Sequence, residues 1–136
     1  MSKLRKRITR EEGFTLIELL IVLVILGILL AIAVPAYLGF KDRANNRAAE
    51  ADIRAAIPSA EAFYETNGTY SGMKLTSLQA IDAGLSKNVV APTGLSANTY
   101  CLGATVGGKS WSVKGPGAQR WYSSSTSCTG TSTSTP

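Results

Sequence analysis

The chain has 136 residues, with 14 Lys and Arg against 9 Asp and Glu, two cysteines and no histidine. That length leaves room for one small domain beside a long apolar stretch, and the missing histidine removes the commonest general base and metal ligand. The net charge of +5 is uneven: residues 1–13 hold Lys3, Arg5, Lys6, Arg7 and Arg10 against Glu11 and Glu12, while the remainder is nearly balanced, which argues against a nucleic-acid patch and for a positive flank holding one membrane end in the cytoplasm.

Residues 1–13, MSKLRKRITREEG, form a short basic leader. They fit the start of a secretory signal, but the sequel does not. From Leu19 to Leu38 run 20 residues without a charge, mostly Leu, Ile, Val and Ala. At about 1.5 Å per residue such a helix is about 30 Å long, enough to cross the hydrocarbon core of a bilayer. It exceeds any signal-peptide core, and no small-residue cleavage site follows it. A conventional signal peptidase would leave it as an anchor. A cut after Gly13 would remove the leader and keep the apolar segment. Glu18 stands at the leading edge, behind Phe14, Leu16 and Ile17. An ionisable group there is costly in lipid and points to a function with a partner.

The leader ending in Gly13, followed without a gap by Phe14-Thr15-Leu16-Ile17-Glu18, resembles the processing motif of type IV pilins and of their relatives, the pseudopilins of type II secretion. Pro35 also matches a proline common in that family. The resemblance is strong over residues 8–65 and beyond them is one of architecture. It implies that a prepilin peptidase cuts between Gly13 and Phe14 and methylates the new amine of Phe14. It implies further that a motor and platform at the inner membrane draw the subunit from lipid into a helical filament of identical copies. The fold class that goes with it is α+β, one long N-terminal helix packed on a small antiparallel sheet.

The residues support this physically. A freed Phe14 amine would sit at a helix start with Glu18 one turn on, where the helix dipole favours a carboxylate. Between laterally packed helices, Glu18 and a neighbour's Phe14 amine can neutralise each other in a single axial register. Removing one member of such a buried pair costs about 3–5 kcal/mol. The bland alternative is that Glu18 rests in the headgroup layer beside its own N-terminus. Gly27 and Pro35 are expected helix breaks, since proline removes a backbone hydrogen bond. Membrane helices tolerate both residues, and the stretch between them is also a place to loosen on leaving lipid.

Lys41, Asp42 and Arg43 mark the end of the apolar zone, and helix formers continue to Glu65. Ala49, Ile53, Ala56, Ala60 and Phe63 recur at three- and four-residue steps, with Ile57 and Tyr64 beside them, giving an apolar stripe of helical period. Arg43, Arg47, Glu50, Arg54, Glu61 and Glu65 are expected on the opposite, wet side. Pro58 predicts a further bend. The pattern gives one helix over residues 14–65, a hydrophobic part over 14–40 and an amphipathic part over 41–65. Asn67-Gly68 should end it in a turn; with Thr69 they also spell a glycosylation sequon, the lesser reading.

In residues 66–128, the sheet-bearing head, a short helix is expected over Ser77 to Ala83, capped by Ser77 and stopped by Gly84. A weak strand is expected over 88–91. The clearest β signal is 99–114, where a Gly107-Gly108 turn would pair Val106 with Lys109, Ala104 with Trp111 and Leu102 with Val113. That places one apolar face, centred on Trp111, against the helix stripe. A third strand is expected over Ala118 to Ser123, with Trp121 or Tyr122 turned inward. Cys101 and Cys128 form an even pair in a small exported domain, which favours a disulfide over a metal site. Such a bridge closes a loop of about 28 residues, a stabilisation of about 3–4 kcal/mol. Residues 129–136 are Ser/Thr-rich and should form a flexible tail.

No catalytic constellation, cofactor loop or metal-ligand cluster is visible. The aromatics Phe14, Tyr37, Phe40, Phe63 and Tyr64 read as packing residues rather than an electron path. The resemblance therefore implies a structural pilin precursor, held in the cytoplasmic membrane with its leader inside and destined for a surface filament. A type II secretion pseudopilin is the nearest alternative. A single-pass anchored binding module is the alternative of another class. Adhesion, twitching and DNA uptake are uses of such filaments among which the sequence does not choose.

Overall fold

A computed structural model of the chain describes residues 13–117 and 119–133. The expected leader over residues 1–12 lies outside them, as do Ala118 and residues 134–136. The chain divides into two units that meet between Leu38 and Gly39. Helix α1, Leu16–Asn67, contributes to both. The second unit adds α2 (Leu75–Ile81) and strands β1 (Tyr100–Val106), β2 (Lys109–Gly115), β3 (Arg120–Ser123) and β4 (Ser132–Thr133). The strands form one antiparallel sheet in the order β1-β2-β3-β4.

The interruptions expected at Gly27, Pro35 and Pro58 are absent, because helical structure runs through all three. Each proline removes one donor, and the turns on either side keep theirs. The helix ends at Asn67, where Asn67 Nδ2 donates to the Phe63 carbonyl (2.8 Å) and the Gly68 amide to the Tyr64 carbonyl (2.7 Å). With φ of 70°, Gly68 takes the left-handed conformation that suits glycine at a helix end.

In the second unit the apolar stripe is buried as its period requires, Ala49, Ile53, Ala56 and Ala60 being fully inaccessible. Three of the four are alanines, so the stripe packs into the same core as Leu102, Val113 and Trp121 with little side-chain volume of its own. The hairpin has the expected register, Leu102 opposite Val113 and Ala104 opposite Trp111, and Gly107 and Gly108 both have positive φ. That is the handedness a two-residue hairpin turn demands. Val113 in turn faces Trp121, so Leu102, Val113 and Trp121 form one row on the core face. Trp121 is the buried indole, with the Arg54 guanidinium 5.3 Å from its ring centroid. Trp111, expected at the centre, is only partly buried and donates from Nε1 to Asn46 Oδ1 (3.0 Å). Its indole N–H needs a polar partner, which holds it at the margin.

The sheet's other face is covered too. Cys101 is bridged to Cys128, the Cys128 amide donates to Ser112 Oγ (3.1 Å), and Gly103 lies against Thr126 so closely that a Cβ there would stand 2.5 Å from its carbonyl oxygen. Residues 124–130 thus form a strap stapled across β1 and β2. Beyond the strap, Ser132–Thr133 pair with β3 inside the segment expected to be a flexible tail.

Two expectations in the head are corrected. The weak strand over 88–91 is reduced to isolated bridges, Val89 with Ala104 and Thr93 with Cys101, since Pro92 interrupts the ladder. Helix α2 spans Leu75–Ile81 rather than Ser77–Ala83, and Ser77 is not its cap. The buried Leu78, with Leu75 packed one turn before it, sets the helix in place of a polar cap. Asp82 ends it by accepting the Gly84 amide (2.8 Å).

The wet side of the helix also differs from expectation. Glu50 is 5% exposed and is bonded by Arg47 at 3.1 Å. Glu61 is half-buried and accepts two phenol hydrogens, Tyr70 Oη at Oε2 and Tyr100 Oη at Oε1, both at 2.8 Å. Burial, and then the carboxylate itself, push both phenols well above the usual tyrosine range. The neutral phenols therefore support the fold fully below about pH 10, and that support is lost as pH rises beyond it. Glu61→Ala leaves two buried hydroxyls without an acceptor, and should destabilise the head by about 3 kcal/mol in denaturant titrations of the detergent-solubilised chain. The double variant Tyr70→Phe with Tyr100→Phe should flatten the alkaline fall in stability above about pH 10 that the parent chain shows.

Candidate functional site

Gly13 and Phe14 precede the helix in non-helical backbone. Among the described residues nothing lies within 4 Å of where a Gly13 Cβ would be, and Phe14 is 92% exposed. The helix proper is opened by Thr15. Its hydroxyl accepts the Glu18 amide (3.3 Å), while Glu18 Oε2 accepts the Thr15 amide (3.0 Å). This reciprocal pair is a capping box, which satisfies two of the donors that every helix start leaves orphaned. The first helical bond, Leu19 amide to Thr15 carbonyl, follows at 3.2 Å.

The capping box went unread in the sequence, although its signal, Thr-x-x-Glu before an apolar run, is present at residues 15–18. It changes the account of Glu18. The carboxylate has a bond of its own before any partner arrives, through one oxygen only.

Behind this start, every residue from Gly13 to Ala44 is exposed. The large apolar side chains from Leu16 to Phe40 are about half or more accessible, Leu19 at 58% and Ile32 at 69%. The helix is long and apolar enough to cross a membrane. Such a surface is stable only in lipid or against other apolar helices. Where the charges resume, Lys109 Nζ meets Asp42 at 3.1 Å, a surface pair of small energetic weight. Among the described residues no group of His, Cys, Asp and Glu is placed to hold a metal ion.

Residues 8–34 match the family described as the prokaryotic N-terminal methylation motif. The chain is 34% identical over 110 residues to the type IV wide pilus major component PilA4 of Thermus thermophilus, covering 77% of this chain and 82% of that protein. This chain belongs to the type IV pilin family. Over 53 residues the pilin is also 55% identical to the type IV narrow pilus major component PilA5 of the same organism, with 39% of this chain and 45% of that one aligned. It is 37% identical over 83 residues to the type II secretion system core protein G of Aeromonas hydrophila, covering 61% of this chain and spanning 55% of that relative's length. By their printed names these relatives are pilus components and a secretion-system core protein.

The box makes its own prediction. Thr15→Ala should weaken the first turn by about 1 kcal/mol, read as about fivefold faster hydrogen exchange at the Glu18 amide in detergent micelles. Thr15→Ser should exchange like the parent.

Proposed function

We propose that this pilin is a structural subunit of a type IV pilus. The observation that carries the reading is the bare apolar surface from Phe14 to Phe40, which needs lipid before assembly and copies of itself afterwards. In this reading residues 1–13 are a cytoplasmic leader, 14–40 the membrane and polymerisation segment, 41–65 the amphipathic part of the helix and 66–128 the head outside the membrane. The Gly13–Phe14 bond is the site of prepilin-peptidase cleavage, and the Phe14 amine is then methylated. An inner-membrane platform draws the subunit from the bilayer into the filament.

Glu18 acts at docking. The Thr15 amide holds Oε2, which orients the carboxylate and leaves Oε1 for the Phe14 amine of a neighbouring copy. Only one axial register neutralises both groups, so the pair selects the position at which a new subunit stops. Gly27 and Pro35 bound the stretch that loosens as lipid is exchanged for packed helices, because each weakens the helix locally.

A pseudopilin of a type II secretion system is the second reading, favoured by the 37% identity to the Aeromonas protein. The pilus reading is preferred because its relative is matched over 82% of its length rather than 55%.

Intact-mass analysis of fibres sheared from cells should find a chain beginning at Phe14 and heavier by one methyl group. Fibres containing residues 1–13 would overturn the processing. Glu18→Ala should reduce sheared fibre by about a hundredfold while the monomer still inserts in the membrane, as loss of a buried partner implies. Normal piliation by that variant would remove the docking role.

A further inference from the structure

Two electrostatic defects stand at different places on the head, and each is what the other lacks. The first is Glu65. It lies exposed in the last turn of α1, where no basic residue accompanies it. A carboxylate at that end opposes the helix dipole. Every other acid among the described residues has a bond: Glu18 to Thr15, Asp42 to Lys109, Glu50 to Arg47, Asp52 to Asn88, Glu61 to two tyrosines and Asp82 to Gly84. Glu65 alone among them has neither hydrogen bond nor ion pair.

The second defect is Lys114 with Arg120. They are direct cross-strand partners in the β2–β3 ladder, so both side chains leave the same face of the sheet, the one opposite the helix. Like charges placed directly opposite each other in a ladder repel. No acidic side chain follows Asp82 in the sequence, and neither cation has an ion pair among the described residues. With Asn98, Thr99 and Pro116 they line a shallow concavity of about 410 Å³ whose charged groups are both positive.

We infer that Glu65 of one subunit docks between Lys114 and Arg120 of another. A helical polymer needs a heterologous interface, two different and complementary patches on each copy, whereas a twofold dimer needs one self-complementary patch. An acid at the end of α1 and a cation pair on the sheet's outer face are such a pair of patches. One contact relieves both defects. Repetition along the filament multiplies a modest surface pair into a substantial one. This contact rests on the pilus reading, and it differs from the Glu18–Phe14 pair in lying between heads.

The test is charge exchange in the full-length chain, expressed in piliated cells and read as sheared fibre. Glu65→Lys, and Lys114→Glu with Arg120→Glu, should each lower fibre yield about fivefold, as an exposed pair repeated at every subunit implies. Membrane monomer with its disulfide intact should be unchanged. The triple variant carrying all three reversals should recover most of the yield. Carbodiimide treatment of parent fibres assembled from mixed light and heavy isotopic subunits should give a Glu65–Lys114 linked peptide of mixed label. Reversed variants with parental fibre yield, a triple variant that fails to recover, or parent fibres without the mixed-label link would overturn the contact alone. Reversals that spare fibre yield but abolish retention on heparin resin would overturn it by assigning the cations to an external polyanion. A parent chain absent from sheared fibre would overturn the pilus reading and this contact with it.

Discussion

An apolar helical surface that nothing among the described residues covers is the constraint on which this pilin's behaviour rests. Between Leu19 and Leu38 there is no charge to offer water, and no residue there is buried. The hydrophobic effect makes that surface insoluble alone but is indifferent to what covers it. A bilayer and a sheath of neighbouring copies are both acceptable covers. Because the two environments are similarly apolar, transfer between them has a small intrinsic driving force. In the proposed assembly, direction and register then come from polar groups, and among the described residues the acid at the leading edge of that surface is Glu18.

The head solves a different problem. Its core is small, and its helix stripe is built mainly from alanine, which buries little area. Aromatic groups from elsewhere make up the volume: Trp121 on the core face, with Tyr70 and Tyr100 converging on Glu61. The carboxylate on α1 thus ties the segment after the helix and the first strand to one point. On the opposite side of the sheet the Cys101–Cys128 bridge holds a strap that has scarcely any apolar side chains of its own. One face is fastened by packing and a charge-assisted node, the other by a covalent staple.

How far this was legible in the sequence follows from the range of each interaction. Local periodicities were readable: the 20-residue apolar run, the Ala49–Ala60 stripe and the Gly107-Gly108 hairpin with its register. The boundary at Asn67 was readable because its chemistry is local. The exchange of Trp111 for Trp121 was not, since both lie on apolar-facing strand positions and only the closeness of Asn46 separates them. Glu50 and Glu61 were assigned to water because helical spacing puts them off the stripe; burying them depends on Arg47 and on tyrosines 9 and 39 residues away. Burial of Cys101 and Gly103 followed from a strap that composition alone reads as loose chain. Even the capping box was legible, and was obscured by a stronger functional claim on the same glutamate.

That double claim on Glu18 bears on how an acid can sit at a membrane helix's edge at all. An isolated carboxylate there is costly in lipid and draws back towards water. The Thr15 amide gives one of its oxygens a partner without adding any net positive charge. In the proposed docking, a carboxylate already bonded at Oε2 has less side-chain freedom left to lose when an amine arrives. Replacing Thr15 would leave the charge in place but not its orientation. In that proposed role Thr-Leu-Ile-Glu is a preorganised receptor for a cation as well as the start of a helix.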